Sequence, residues 1–291
     1  MYDLPLYRPP AEADNLIIQA TLGCSFNQCS FCAMYRGKQY TERALEAVCA
    51  EIHLAAAEQP DAHRVFLADG DALALPTEHL LAILRELAHA LPKLARVSCY
   101  ATPGNIQRKS ADELALLQQH KLNLLYVGIE SGSDMILKKI TKGATQRRML
   151  EVLTKAHASG IKVSATVILG LGGRTHSTEH IDGTIALLNN APVTYLSTLQ
   201  LYLDKSIDAE FLRKFGEPFD ALDDLAILSE QERLISGLLN PPQPVVFRSN
   251  HASNALALAG NLPKDREKLL RQVREAIAGV RPLRPHAMRG L

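Results

Sequence analysis

The sequence has almost no excess charge and no long apolar run. Its 32 lysines and arginines against 31 aspartates and glutamates leave a formal net charge of +1. This near balance excludes the whole-molecule positive field that attracts nucleic acids nonspecifically, and we expect no nucleic-acid partner. No segment approaches the ~18 consecutive apolar residues that cross a bilayer, so we expect no membrane partner either.

The first residues also lack the features of a secretory signal. The segment MYDLPLYRPPAEAD carries acidic residues and three prolines where a signal would have a basic region followed by an apolar one. Five cysteines is an odd number, and three of them fall within nine residues, which is atypical of a disulfide framework. With 47% hydrophobic residues the chain is not a disordered one. These observations predict a cytoplasmic globular protein with a ligand site.

Apolar, β-branched runs alternate with segments of helical spacing over the first two thirds of the chain, which indicates a parallel sheet. The predicted strands are Leu16–Ala20, Arg64–Ala68, Arg96–Thr102, Leu124–Glu130, Val163–Leu169 and Tyr195–Tyr202. The predicted helices between them are Thr41–Glu58, Thr77–Ala90, Ser110–His120, Thr145–Ser159 and Ser177–Asn190.

This alternation predicts an α/β fold in which residues 1–203 form a single barrel or a partial barrel. Residues 204–291 read as a C-terminal helical extension that completes the substrate side. Within it we expect helices at Ser229–Leu239 and Lys264–Ala278 and a short strand at Val245–Phe247. In such barrels the chemistry collects on the loops that follow the strands.

Three cysteines, Cys24, Cys29 and Cys32, form a Cys-x4-Cys-x2-Cys motif directly after the first predicted strand. Three thiolates on one short loop can bind a soft metal ion or three irons of a [4Fe–4S] cluster. Cys49 and Cys99 lie in a predicted helix and strand and read as small buried hydrophobes, so one iron would lack a protein ligand. Structural zinc with a histidine as fourth ligand remains the alternative.

Polar or glycine-rich segments also follow three later strands. Ala68-Asp69-Gly70-Asp71 ends the second strand, Gly128-Ile129-Glu130-Ser131-Gly132-Ser133-Asp134 ends the fourth, and Val167-Ile168-Leu169-Gly170-Leu171-Gly172-Gly173 ends the fifth. Acidic acceptors beside a glycine suit an ammonium group, since the glycine lets the backbone approach it.

With these motifs in place, residues Ile17 to Tyr202 resemble the radical S-adenosylmethionine (radical SAM) enzymes, in the branch that contains the elongator catalytic subunit, tRNA methylthiotransferases and coproporphyrinogen dehydrogenase. The commonest spacing in that family has three residues between the first two cysteines, and here there are four.

The resemblance implies that residues 1–203 form a partial (β/α)6 TIM-like barrel. It implies that Cys24, Cys29 and Cys32 hold a [4Fe–4S] cluster whose fourth iron chelates S-adenosylmethionine. It also implies that the cofactor is bound by Asp69, Gly70, Asp71, Glu130, Ser131 and Gly170. Reductive cleavage of S-adenosylmethionine would yield a 5′-deoxyadenosyl radical that abstracts hydrogen from a substrate. An electron donor such as flavodoxin or ferredoxin and a small-molecule or peptide substrate are the partners we expect.

Two other functions remain open on the sequence. His176-Ser177-Thr178-Glu179-His180 satisfies the H-x-x-E-H pattern of a zinc metallohydrolase, although we expect these to be surface residues near the mouth of the site. A non-catalytic iron–sulfur or S-adenosylmethionine-binding protein is the other alternative.

Two polar segments are candidates for substrate binding. Tyr35 and Arg36 follow the cysteine motif directly and place a phenol and a cation near it. Arg248, Asn250 and His251 follow the short C-terminal strand and concentrate hydrogen-bonding groups there.

Overall fold

The computed structural model describes residues 2–290. Ten strands occur in chain order: β1 Leu16–Gln19, β2 Thr21–Leu22, β3 Thr41–Glu42, β4 Arg64–Ala68, β5 Arg96–Ala101, β6 Leu122–Glu130, β7 Lys162–Leu169, β8 Tyr195–Gln200, β9 Val245–Ser249 and β10 Leu258–Leu262. Ten α-helices accompany them: α1 Leu45–Glu58, α2 Thr77–Ala90, α3 Pro103–Arg108, α4 Ala111–Gln119, α5 Asp134–Lys139, α6 Gln146–Ala158, α7 Ser177–Leu188, α8 Asp208–Phe215, α9 Asp224–Gly237 and α10 Arg266–Ile277.

Eight of the strands form one sheet in the order β1-β4-β5-β6-β7-β8-β9-β10. The pairs β1–β4, β4–β5, β5–β6, β7–β8 and β8–β9 are parallel, and the edge pair β9–β10 is antiparallel. Among the described residues the sheet is not closed between β1 and β10. The predicted α/β fold with alternating strands and helices is confirmed.

The chain divides into two compact units. Unit 1 contains residues 2–27, 34–127 and 155–163, and unit 2 contains residues 28–33, 128–154 and 164–290. The cysteine motif is divided between them, with Cys24 in unit 1 and Cys29 and Cys32 in unit 2.

In unit 1 helices α2 and α4 form where the apolar spacing predicts them. Helix α2 coincides with the predicted segment and buries Leu80, Leu81, Ile83, Leu84 and Leu87, at the i, i+3, i+4 spacing of one helix face. Helix α4 begins after Ser110, whose hydroxyl accepts the Glu113 N–H at 3.0 Å, while the Glu113 carboxylate accepts the Ser110 N–H at 2.7 Å. This capping box satisfies two amides that the helix itself leaves unpaired.

Helix α1 is shorter than the prediction that it starts at Thr41. Thr41 and Glu42 instead form β3, which pairs antiparallel with β2. Their helical spacing was therefore misleading, and the helix begins at Leu45.

Unit 2 contains the C-terminal strands and helices. The C-terminal region, predicted as a helical extension, contains strands as well as helices. The predicted short strand is present as β9, and β10 adds a further strand at the edge of the sheet. Helix α9 packs against α7 and α10. It buries Ile227, Leu228, Leu234 and Ile235 together with two polar residues, Glu230 and Gln231.

Candidate functional site

The second half of the cysteine motif is held by backbone contacts within unit 2. The Cys32 N–H donates to the Cys29 carbonyl at 3.2 Å, and the Ser30 N–H donates to the Ile140 carbonyl at 3.0 Å. Phe31 packs against an apolar cluster that α5 and α8 contribute to, and Lys214 of α8 donates to the Gln28 carbonyl at 3.2 Å. Cys29 and Cys32 are both half-buried.

The first half of the motif is anchored in unit 1 by the segment after β4. The Asp71 carboxylate accepts the Ser25 N–H at 2.8 Å and also the Ser25 hydroxyl. The Asp69 carboxylate accepts the Gly23 N–H at 3.4 Å and pairs with the Lys38 ammonium at 3.2 Å. Asp69 and Asp71 are both fully buried. Two carboxylates therefore bracket the backbone on either side of Cys24.

Gly70, between these carboxylates, lies directly against the cysteine motif. A Cβ atom placed on Gly70 would lie 2.8 Å from the Cys24 Cα. Only glycine leaves room for this approach of the two backbones. Among residues 2–290 the second carboxylate oxygen of Asp69 has no hydrogen-bond partner, although it is buried. Because unpaired buried acceptors are costly, this oxygen calls for a donor, and both the neighbouring Tyr35 phenol and a cationic or N–H-bearing ligand could supply one.

Tyr35 and Arg36 lie beside the same half of the motif. The Asn27 amide donates to the Tyr35 carbonyl at 2.8 Å, and the Arg36 guanidinium donates to the Asn27 carbonyl at 3.0 Å. Tyr35 is buried and packs edge-on against Tyr7, with ring centroids 5.4 Å apart. Burial and the neighbouring Asp69 carboxylate raise the pKa of Tyr35, so the phenol keeps its proton at neutral pH.

Glu130 and Ser131 occupy the end of β6 in unit 2. Glu130 has a backbone φ of 61°, in the left-handed region that non-glycine residues rarely adopt. One of its carboxylate oxygens pairs with Lys142 at 2.9 Å, and the other is buried without a partner among the described residues. Burial lowers the pKa of Lys142, but the charge of Glu130, the hydrogen bond to it and the charges of Cys29 and Cys32 together raise it above the ordinary lysine value, so this lysine remains charged.

Gly170 follows β7 with a φ of 86°, which glycine adopts without strain. Its N–H donates to the Glu230 carboxylate at 2.7 Å, and the Ser177 hydroxyl donates to the other Glu230 oxygen at 2.7 Å. Glu230 is buried, and burial raises its pKa to about 7. Glu230 is not recognisable as a site residue from the sequence, because no motif surrounds it and its contact with Gly170 joins positions 60 residues apart.

The expectation that both histidines of the H-x-x-E-H segment lie on the surface is wrong for His180, which is fully buried. Its Nε2 lies 3.0 Å from the Ile168 carbonyl and its Nδ1 lies 2.8 Å from the Ser131 hydroxyl. A carbonyl can only accept, so Nε2 carries the proton and Nδ1 accepts from Ser131. Both ring nitrogens are occupied, and Glu179 is exposed. The segment does not form a zinc site, and the metallohydrolase alternative is unsupported.

The C-terminal candidates lie in unit 2 at the end of β9. Arg248 and Asn250 are exposed, and His251 is partly buried with its Nδ1 2.7 Å from the Ser253 hydroxyl. Asn254 organises this loop, since its side-chain amide donates to the Thr198 carbonyl at 2.8 Å and its oxygen accepts the Gln200 N–H at 2.8 Å.

The remaining cysteines are poor candidates for a fourth ligand. Cys99 is fully buried, and burial raises its pKa to about 12, whereas metal ligation needs a thiolate. Within residues 2–290 no three His, Cys, Asp or Glu side chains surround one point as a single metal ion requires. A cubane cluster is held differently, because each thiolate binds a different iron. The donor set of three cysteines therefore fits a cluster with one open iron.

Comparison with known proteins places these features in a family. A model of the radical SAM superfamily matches residues 18–188, more than half of the chain. The heme chaperone HemW of Bacillus subtilis is 24% identical over 179 residues, which is 60% of this chain and 47% of that protein. A tRNA-2-methylthio-N(6)-dimethylallyladenosine synthase of Alkalilimnicola ehrlichii is 27% identical over 186 residues, 59% of this chain and 40% of that protein. The chain spans less than half the length of these relatives.

Among solved structures, coproporphyrinogen III oxidase (HemN) of Escherichia coli, a radical SAM enzyme, superimposes with a TM-score of 0.56 at 17% identity. The match covers 77% of this chain and 52% of that one and supports a shared fold. The chain belongs to the radical SAM superfamily and is an enzyme. No helix among the described residues is long and apolar enough to span a membrane.

Proposed function

We propose that Cys24, Cys29 and Cys32 hold a [4Fe–4S] cluster and that the open iron binds the amino and carboxylate groups of S-adenosylmethionine. When bound, the reduced cluster supplies the electron that cleaves S-adenosylmethionine to methionine and a 5′-deoxyadenosyl radical, which abstracts hydrogen from the substrate. The protein positions these groups and excludes water, as is general for cofactor enzymes.

The unpaired, buried oxygen of Asp69 carries this proposal. It belongs to a segment whose hydrogen bonds reach Gly23 and Ser25, the neighbours of Cys24 in the sequence. An ammonium group is a donor that such a carboxylate can accept. We therefore assign Asp69, Gly70 and Asp71 to the methionine end of S-adenosylmethionine, with Asp69 as the direct acceptor and Asp71 holding the cysteine loop.

We assign Glu130, Ser131 and Gly170 to the nucleoside end. The second unpaired, buried carboxylate oxygen belongs to Glu130, and a carboxylate oxygen is a suitable acceptor for a ribose hydroxyl. His180 Nδ1 accepts a hydrogen bond from the Ser131 hydroxyl and so fixes the orientation of that hydroxyl.

The remaining assignments have less support within the fold. Residues 1–203 as the catalytic barrel and 204–291 as its extension, a flavodoxin or ferredoxin donor, and a cytoplasmic location stay predictions. We propose a small molecule or peptide as substrate, bound with the help of Tyr35, Arg36, Arg248, Asn250 and His251.

The proposal is tested by anaerobic reconstitution with iron and sulfide, followed by reduction in the presence of S-adenosylmethionine and mass-spectrometric detection of 5′-deoxyadenosine. We expect about four irons per chain, as one cluster requires, and 5′-deoxyadenosine that depends on the reductant. Cys29→Ala should lose the iron and the product. Cys49→Ala is the matched control and should retain both, since Cys49 lies in α1 away from the motif.

A colourless protein after reconstitution would overturn the assignment of the cysteines. A brown protein that neither binds nor cleaves S-adenosylmethionine would leave the cysteine assignment standing and overturn the assignment of Asp69 and Glu130.

A further inference from the structure

One face of the sheet in unit 2 is open. Along β8 the side chains alternate, so that Leu196 and Thr198 are buried while Tyr195, Ser197 and Leu199 remain partly exposed. Strand β9 repeats the alternation, with Phe247 buried and Arg248 exposed. Parallel strands are usually covered on both faces. This face is only partly covered and carries polar side chains. It is therefore a candidate surface for binding a ligand.

The strand register aligns three polar residues across this open face. Thr166 of β7 is the partner of Ser197 in β8, and Ser197 is the partner of Arg248 in β9. Registered partners in parallel strands lie on the same face, with about 5 Å between neighbouring strands. The row is therefore about 10 Å long. Its next member, in β10, is Ala259, which leaves space beside Arg248.

The charge of Arg248 is not neutralised within the described part of the chain. It forms no ion pair with an aspartate or glutamate there, and one N–H donates to the Phe247 carbonyl at 3.0 Å. A guanidinium has five N–H donors, so four remain for another acceptor. The Thr166 and Ser197 hydroxyls make no side-chain hydrogen bond among residues 2–290 and add two donors to the row.

An apolar pair lies next to this polar row. Ile168 and Leu199 are register partners two residues further toward the carboxyl ends of β7 and β8. Both are only partly buried, although Ile168 also packs on one side against the apolar cluster that α5 and α8 contribute to. Two residues of a strand advance about 6.6 Å. The open face thus presents hydrogen-bond donors and one positive charge. Next to them, toward the carboxyl ends of the strands, lies an apolar surface. The residues of the proposed cofactor site also lie at the carboxyl ends of their strands.

We propose that Thr166, Ser197 and Arg248 bind the carboxylate of an amphipathic carboxylic acid, whose apolar part lies over Ile168 and Leu199. The identification of this ligand as the substrate rests on the proposed function. One guanidinium matches one planar carboxylate in charge and geometry. A phosphate would need more positive charge or a cradle of backbone N–H groups, and the amides of these strands are engaged in the sheet.

The test is anaerobic calorimetric titration of the reconstituted enzyme with 3-phenylpropionate, whose ring lies about 6 Å from its carboxylate, the separation of the two rows. The neutral 3-phenylpropionamide and inorganic phosphate are titrated in parallel. We expect saturable binding of the carboxylate and binding about tenfold weaker for the amide and for phosphate. Arg248→Gln should weaken carboxylate binding about tenfold and leave amide binding unchanged.

Arg147→Gln is the matched control, because this arginine is 89% exposed on α6, and it should bind like the wild type. Equal affinity for carboxylate and amide, or an unchanged affinity in Arg248→Gln, would overturn the proposal, as would tighter binding of phosphate. Titration of S-adenosylmethionine separates the two assignments. Failure of that binding with intact, Arg248-dependent carboxylate binding would contradict the proposed function and leave this site standing.

Discussion

The Asp71 carboxylate accepts the backbone N–H of Ser25 at 2.8 Å. This hydrogen bond joins the segment after β4 to the residue that follows Cys24 in the motif. The same carboxylate also accepts the Ser25 hydroxyl, so both of its oxygens are used within the protein. Asp71 is therefore better suited to shape the cysteine loop than to contact a ligand, whereas Asp69 retains an unpaired oxygen.

Asp71→Ala should lower the amount of cluster that the protein holds. The substitution removes the acceptor of the Ser25 N–H and of the Ser25 hydroxyl, so the residue after Cys24 loses two hydrogen bonds that hold it to the segment after β4. Iron and sulfide analysis after reconstitution measures the effect. Asp71→Asn keeps one oxygen acceptor and should retain more iron than Asp71→Ala. Equal iron content in wild type and Asp71→Ala would contradict the positioning role.

Replacing Glu230 should change how stability depends on pH. Burial raises the pKa of Glu230 to about 7, above the ordinary glutamate value, so the folded state binds this proton more tightly than the unfolded state does. The stabilisation from protonation is complete below the unfolded pKa and is lost as the pH rises to about 7. Glu230→Gln cannot titrate and should remove this loss, an effect of about 3 kcal/mol at most.

Urea unfolding of the wild type and Glu230→Gln at pH 5 and pH 8 measures this difference. The glutamine can accept the Gly170 N–H and donate to Ser177, so the local contacts are kept. Glu267, exposed on α10, provides the control substitution Glu267→Gln, which should unfold like the wild type. A parallel pH dependence in the wild type and Glu230→Gln would refute the interpretation.

His180 should be essential for stability and dispensable as a metal ligand. His180→Ala removes partners of the Ser131 hydroxyl and the Ile168 carbonyl, and we expect a loss of about 2 to 4 kcal/mol in the free energy of unfolding. Burial lowers the pKa of His180 to about 4. The folded state therefore favours the neutral imidazole. The stability that this preference contributes is complete above the pKa of an unfolded histidine and declines as the pH falls toward 4.

Chemical denaturation at pH 7 tests the loss, and His157→Ala, at an exposed position of α6, is the control that should unfold like the wild type. Zinc analysis of the same proteins provides an independent measurement. One zinc bound by the wild type and lost in His180→Ala would contradict the assignment of both ring nitrogens to Ser131 and Ile168.

The sequence predicted the elements whose signals are local. Helix α2 and strand β4 have the predicted bounds, because each has an uninterrupted apolar pattern between clear ends. The short helices α3, α5 and α8 and strand β10 were not predicted. Each is too short for its periodicity to be recognised, and the Leu-Ala-Gly-Asn-Leu sequence of β10 has little β propensity.

The candidate site shows the same division. The cysteines and the residues after β4, β6 and β7 were recognisable because they follow strands. The role of Glu230 and the burial of His180 could not be recognised from the sequence, since both depend on tertiary packing that joins distant positions. His180 matches a metalloprotease-like pattern, but in the fold it is a buried residue with both ring nitrogens hydrogen-bonded. A five-residue pattern does not predict whether its residues are buried.

Gly70→Ala should prevent the cysteine loop from assuming its conformation. The added Cβ would lie 2.8 Å from the Cys24 Cα and 2.9 Å from the Cys24 Cβ, closer than such atoms approach in folded proteins. Either the segment after β4 or the loop must move, so we expect the iron content after reconstitution to fall about tenfold and S-adenosylmethionine binding to fall with it. Gly37→Ala is a matched control in the same region, since a Cβ there has no atom within 4 Å. It should reconstitute like the wild type. If both variants held a full cluster, the close approach of Gly70 to Cys24 would not be needed to form the site.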